Sequence, residues 1–454
     1  MKKISYILIL LTGLVYLSSC NKLLEVKPKG LVGVEEGITT ADQLDSVLIG
    51  TYDIFRNGAV MGGTPKVAAD VLADEVYASS TGFEWGQIKT LNMNLFNPIG
   101  RDIWQQSYIT INRTNVVIDY IDNNKVVLTD AQKKQWKAEA RFIRAVCSFH
   151  LAQYFALPYD ATTLSKPGIV IRTQAVLTNE FAATRIQRST VEETYKFIID
   201  ELTAAETDLA SSSSTAGRVK KDAASAYLAK VYFQMNNMTK AYEYADKIVG
   251  NEGYSLDAWW GDKFAHASLG NTTHEVIFAL TSTAISDNSA SGLTGSYRTD
   301  QNAPPGFGPT DKLVANLQAI PVDTRAAQVV TKAGQANVVG VYSTKYNYTY
   351  MNAPVICYNE ILLIHAESGL ASGQGDPTQD LNAIQVRSGV PTTAASAASI
   401  LAERRKELAL EGVYFFDLKR TKSNNIKGVS WNSSKLIFQI PDIEQNGNPS
   451  IILN

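Results

Sequence analysis

The chain has 454 residues, 45% of them apolar and 19% charged, which is enough for a large core and too apolar for a disordered chain. Lys plus Arg number 42 and Asp plus Glu 44, for a net charge of −2, so no basic excess is available for a dedicated nucleic-acid binder. Three cysteines cannot make a disulfide framework, and four histidines leave little for a metal cage.

Lys2 and Lys3 precede an apolar run over residues 4–17. That run has the length of a signal-peptide core and is too short to span a membrane. Ser18 and Ser19 then lead into Cys20, and the arrangement resembles a bacterial lipoprotein cleavage box. In such a box the cysteine is lipidated and becomes the first residue of the mature chain. Residues 1–19 are therefore read as a signal peptide, 20–36 as a lipid-anchored tether with Pro28, Gly30 and Gly33, and 37–454 as one helical domain. The chain is anchored, not spanning. The competing reading is ordinary secretion with an incidental cysteine. Cys147 and Cys357 lie far apart and read as inert buried thiols.

Beyond the tether the pattern is helical. Residues 103–121 put Trp104, Tyr108, Ile111 and Ile118 on one face. Asp130 reads as the N-cap of a helix running to Phe155, with a stripe of Trp136, Ala140, Ile143, Cys147, His150 and Tyr154. Ser189 or Thr190 caps a helix over 191–209, which the serine-rich segment 211–215 ends. Residues 222–250 form a helix hairpin broken at Asn236 and Asn237. Its Leu228, Ala229, Tyr232 and Ala241 sit at tetratricopeptide offsets, with small residues where the helices cross. Residues 104–155 and 358–386 read as further, degenerate hairpins, the second with Asp376 as cap and Pro377 in the first turn. Strands are expected only at 275–280 and 436–440. The fold class is mostly α-helical, with tetratricopeptide-type hairpins mainly in 100–250 and a long-loop-rich C-terminal part over 275–454.

No catalytic motif stands out: there is no G-x-S-x-G elbow, P-loop or G-x-G-x-x-G fingerprint. His274-Glu275 starts like a zinc-protease motif, but Phe278 stands where the second histidine is needed. His150 and His365 fall in apolar helical segments and read as satisfied core residues. Asp70, Asp74 and Glu75 are spaced closely enough to leave a structural calcium ion open, although caps and a solvated face are the preferred reading. The run Glu403-Arg404-Arg405-Lys406-Glu407 reads as a helix with internal ion pairs.

Several blocks then resemble one family. Glu139-Ala140, Phe142 and Arg144-Ala145 fit an EA-x-F-x-RA helix, followed by Leu157-Pro158-Tyr159. Arg188, Val191 and Tyr195 fit the start of the next helix, and Tyr358, Glu360, Leu363, Ile364, Ala366 and Glu367 fit Y-x-E-x-x-L-I-x-A-E. Val386-Arg387 and Gly389-Val390 are similar to a further segment. Most specific is ER-x-x-E-L-x-x-E-G-x-R-x-x-D-L-x-R, matched from Glu403 to Arg420, with Ile440-Pro441 and Asn448-Pro449 closing the series. In this order the blocks resemble the SusD/RagB family of Bacteroidetes outer-membrane lipoproteins over almost the whole length. Tyr414 replaces the signature's arginine and Cys357 replaces another, which reads as altered structural ion pairs. The acid-rich surface-export signal is poor, since Asn21-Lys22-Leu23-Leu24 precedes Glu25.

The resemblance implies a binder without catalytic residues. It would capture oligosaccharides at the cell surface and deliver them to a TonB-dependent (SusC-like) transporter, with no cofactor. An alternative is a peptide- or protein-binding scaffold, and a third a surface hydrolase. In the family, ligand residues come from loops in the regions of 78–100 and 286–309. Stacking is assigned to Trp85 and Tyr297, with polar help from Glu84, Arg298 and Asp300. Trp104, Trp136, Trp259 and Trp260 are assigned to packing; Tyr346, Tyr348 and Tyr350 alternate as on a strand face, and packing is preferred there over a second platform.

Overall fold

The computed structural model describes residues 37–79, 82–177, 184–212, 217–264, 273–282, 290–300, 305–333, 339–348 and 350–454. The segments read as signal peptide and tether, with Cys20 between them, lie outside the described residues. Fifteen α-helices and three two-stranded antiparallel sheets occur among the described residues. None of these helices is long and apolar enough to cross a membrane.

Helices α1 (Ala41–Phe55) and α2 (Thr64–Leu72) lead into strand β1 (Val76–Ala78) and the short helix α3 (Phe83–Lys89). The long helices α4 (Pro98–Asp122) and α5 (Asp130–Phe155) follow, then α6 (Val191–Asp208), α7 (Lys221–Gln234) and α8 (Met238–Val249). From α4 to α8 each helix packs on the next. After β2 (Val276–Leu280), α9 (Ser291–Tyr297), β3 (Phe307–Pro309), α10 (Asp311–Leu317), β4 (Val329–Ala333), β5 (Val339–Ser343) and β6 (Ala353–Cys357), the stack resumes. Helix α11 (Tyr358–Ser372) packs on α8, and α12 (Pro377–Arg387) packs on α11. The hairpin array thus continues across the long insertion between α8 and α11.

Helix α5 shows why the array holds. From Ala138 to Phe155 it is buried almost all round, because α4, α6 and α7 surround it. Phe142 meets Tyr227 of α7 edge-on at 5.5 Å, Phe149 meets Tyr195 of α6 at 6.2 Å, and Phe155 meets Trp104 of α4 at 5.0 Å. Its N-cap is Thr129 rather than Asp130. The Thr129 hydroxyl accepts from the Gln132 amide while the Gln132 side chain accepts from Thr129, closing a capping box that Asp130 cannot form with its neighbours. Thr190 caps α6 in the same way through Glu193, and Asp376 caps α12, with Pro377 in its first turn.

Residues 436–440 are not a strand. A 3₁₀ turn over Ser434–Leu436 precedes them, and the Phe438 amide donates 2.8 Å to the Tyr154 carbonyl, so the segment caps α5 instead of pairing in a sheet. The closing elements are α13 (Ala397–Glu407), α14 (Tyr414–Arg420) and α15 (Asp442–Gly447). The charged run in α13 does not pair internally. Glu403 reaches Arg325 at 2.6 Å, Arg404 reaches Asp417 at 3.1 Å, Arg405 reaches Glu75 at 2.6 Å and Glu407 reaches Arg387 at 2.5 Å. A run that reads as internally paired is therefore largely buried, each charge facing a partner from another segment. Tyr414 lies under the Arg405 guanidinium at 4.5 Å, a cation–π contact where the signature carries an arginine. Cys147 and Cys357 are both buried, and burial pushes the Cys357 thiol up to about 12.

Candidate ligand-binding surface

The two segments read as loops contain regular structure. Residues 78–100 hold α3, and 286–309 hold α9 and β3. They meet because β1 pairs with β3 antiparallel, Tyr77 opposite Gly308 and Ala78 opposite Phe307. The pairing continues outward: Ser79 N donates 2.9 Å to Gly306 O, and Gly306 N donates 3.0 Å to Ser296 O of α9. Gly308 is needed here, since a Cβ on it would collide with the Val341 carbonyl and the Tyr77 ring. Tyr77 in turn donates 2.9 Å to Val341 O, joining this sheet to β5.

Phe307 is the ring on which both segments converge. Trp85 contacts it edge-on at 4.9 Å and Tyr297 at 6.3 Å. The two rings lie at different depths. Trp85 is half-buried on α3, whereas Tyr297 is 0% exposed, so the expectation of a Tyr297 stacking platform is corrected. Its hydroxyl donates 2.8 Å to Asp70 Oδ2, and its ring stacks on Tyr346 at 5.5 Å, which makes it a core residue beneath the surface. The even sequence position of Tyr297 between glycines and polar residues carries no sign of this. Its burial follows from α9, whose Leu293 and Tyr297 share one helical face.

The exposed aromatics are others. Phe83 is 75% exposed at the start of α3, and Phe96 is 64% exposed beside α4. Asn97 ties the two together: its Nδ2 donates 3.0 Å to Glu84 O and 2.8 Å to Gln87 Oε1, while its Oδ1 accepts from Gly100 N at the start of α4. Phe83 thus stands exposed on α3 and Phe96 on the turn that Asn97 ties to it, while Trp85 turns toward Phe307. A usable signal for Phe96 was the Asn94-Leu95-Phe96-Asn97-Pro98 turn, in which Asn94 Oδ1 accepts from Phe96 N at 2.9 Å.

Glu84 is half-buried on α3. Arg298 and Asp300 pair with each other through two bonds, Nε to Oδ1 at 2.5 Å and Nη2 to Oδ2 at 3.2 Å. The hydrogen bond from Arg298 holds the Asp300 carboxyl below its ordinary range, and 41% of the Asp300 side chain remains open to solvent. Thr299 between them is pinned by Asn347, whose Oδ1 accepts from its amide at 2.8 Å.

Asp70, Asp74 and Glu75 face separate partners. Asp70 binds Tyr297 and the Gly412 amide, Glu75 binds Arg405 at 2.6 Å, and Asp74 lies 3.5 Å from Lys312. Asp70 and Glu75 are buried, so neither forms a solvated face. Burial raises the Asp70 carboxyl to about 8. Among the described residues no group of three or more His, Cys, Asp and Glu could hold a metal ion.

The aromatic row continues inward from Tyr346 to Phe264 at 5.0 Å and on to Tyr348 at 6.4 Å. Tyr346 is therefore core, not a strand-face platform, and its hydroxyl donates 2.7 Å to Leu410 O. Trp259, expected to pack, is 38% exposed beside Trp260.

Residues 22–233 match the SusD-like proteins described as starch-binding and associating with the outer membrane, and residues 325–446 match the SusD family. The chain belongs to the SusD/RagB family. SusD-like protein P2 of Formosa agariphila is 23% identical over 93% of this chain and 91% of its own length. SusD-like protein P25 of the same organism is 24% identical over 58% of this chain, and the match spans 49% of P25. Among solved structures, a SusD superfamily protein of Bacteroides thetaiotaomicron superposes with a TM-score of 0.80 at 24% identity, covering 92% of this chain and 100% of that one. A laminarin-binding SusD-like protein superposes with a TM-score of 0.75 at 21% identity, covering 92% and 99%. These likenesses establish the SusD fold.

Proposed function

We propose that the protein captures oligosaccharides at the ridge of Phe83, Trp85 and Phe96 and delivers them, without turnover, to a TonB-dependent transporter of the outer membrane. Two exposed phenylalanines, Phe83 on α3 and Phe96 on the turn bonded to it through Asn97, carry this reading. Sugar rings have apolar faces that pack on aromatic rings, and Glu84 and Asp300 would supply acceptors for hydroxyls. The laminarin-binding relative supports a β-glucan among the ligands to try first. Lipidation at Cys20 anchors the chain to the membrane, where the starch-binding, membrane-associated description of the family places its members.

Calorimetry against laminari- and malto-oligosaccharides and unrelated peptides tests the ridge. Phe83→Ala or Trp85→Ala is expected to weaken sugar binding by about tenfold or more, as loss of an aromatic anchor does. Binding that survives both substitutions, or heat only with peptides, would overturn the reading. Fatty-acid labelling that persists in Cys20→Ser would overturn the anchor.

A further inference from the structure

A cavity of about 50 Å3 lies where α2, α5, α7, β6, α11 and the turn before α14 meet, and neither Phe83, Trp85 nor Phe96 lines it. Three buried polar atoms among its lining residues have no hydrogen-bond partner: His150 Nδ1, Gln153 Nε2 and Tyr227 Oη. A buried polar atom left unpaired costs on the order of 1–3 kcal/mol, so three around one cavity mark a place that a ligand completes.

The chemistry of that ligand follows from the charges. Lys66 also lines the cavity, and its ammonium donates 3.1 Å to the Pro354 carbonyl. No carboxylate among the described residues lies within ion-pair distance of it. The two glutamates lining the cavity are already engaged: Glu360 by Lys230 at 2.9 Å, and Glu411 by Lys263 at 2.9 Å and Lys345 at 2.8 Å. The lining thus sets Lys66 and Lys230 against two glutamates that are already paired, and it is rich in donors. Burial, with the fields of Lys230 and Lys66, holds the His150 imidazole at about 3, so this ring is neutral. Gln153 Nε2 can only donate, and Tyr227 Oη and His150 Nδ1 can donate as well.

We propose that this cavity binds one small monovalent anion of halide size, held by Lys66 Nζ, Gln153 Nε2 and Tyr227 Oη. Such an ion lies against the Lys66 ammonium, which shares the field of Glu411 with Lys263 and Lys345, and accepts from several donors at once. It joins α2, α5 and α7 of the helical stack to the strand that leads into α11. The volume admits the alternative of ordered water, for which about 10–15 Å3 per molecule suffices.

Bromide separates the two. Crystals of the protein soaked in sodium bromide should show an anomalous peak in the cavity within hydrogen-bond reach of Lys66 and Tyr227. The melting midpoint should rise with sodium bromide relative to sodium gluconate at equal ionic strength. Lys66→Met should abolish both signals, and Tyr227→Phe should weaken bromide binding by about tenfold. Should Lys66→Met fail to fold, Gln153→Leu together with Tyr227→Phe gives the same contrast. Density in the cavity without anomalous signal, or a bromide response unchanged in these variants, would overturn the proposal.

Discussion

The helical stack from α4 to α8 and the junction around α13 and α14 are held together by opposite means. In the stack, rings and aliphatic side chains interlock at helical spacing, and the chief buried ion pair is Arg144 with Glu201 at 2.6 Å. In the junction, Arg325, Arg404 and Arg420 are buried, Arg387 is half-buried, and each faces a carboxylate. Arg325 alone meets Asp323 at 2.9 Å, Glu403 at 2.6 Å and Glu407 at 3.2 Å. The first region loses stability when volume is removed, the second when charge balance is broken. The family signature from Glu403 to Arg420 is thus a packing device that happens to be charged.

The comparison breaks most visibly at Arg325. Arg325→Met strips the partner from buried carboxylates and should lower stability by about 3–5 kcal/mol, read as a fall in the urea midpoint. Replacing Asp323 along with Arg325 should recover part of the loss. Leu228→Ala, in the tight hairpin of α7 and α8, should cost about 3 kcal/mol through the cavity it leaves. That loss should be insensitive to pH, whereas the Arg325→Met loss should shrink in acid as the stranded carboxylates protonate.

Asp70 gives a pH effect of the opposite sign from most carboxylates. Its folded-state value of about 8 lies above the ordinary 3.8, so the folded protein keeps a proton that the unfolded chain releases. Stability from this group is greatest below about pH 4 and falls as pH rises toward 8. Asp70→Asn should flatten that part of the profile; an unchanged slope would mean another group carries it. The smallest effect belongs to Lys196→Ala on the outer face of α6. Its pair with Asp200 at 2.7 Å is exposed and should be worth about 0.3 kcal/mol.

The same contrast explains what could be read in advance. Helices α4 to α8, α11 and α12 were legible because one face of each repeats apolar residues every three or four positions, and the caps Thr190 and Asp376 announce themselves. The pairing of Arg405 with Glu75 was not legible, because its partners are 330 positions apart and burial is invisible in a charged run. At the candidate surface, the two segments that meet through the β1–β3 pairing were legible, but depth was not. Tyr297 and Phe83 are both aromatic neighbours of polar residues, yet one is core and the other crowns the surface. Only the turn of α9 and the β1–β3 pairing decide between them.

Two indoles reach solvent in aromatic surroundings, Trp85 beside Phe307 and Trp259 beside Trp260. Titration of a laminari-oligosaccharide into Trp85→Ala and Trp259→Ala side by side tests the central claim most directly. The account predicts that affinity drops about tenfold or more in Trp85→Ala and stays at the parent value in Trp259→Ala. Loss of binding in Trp259→Ala with Trp85→Ala unaffected would contradict it.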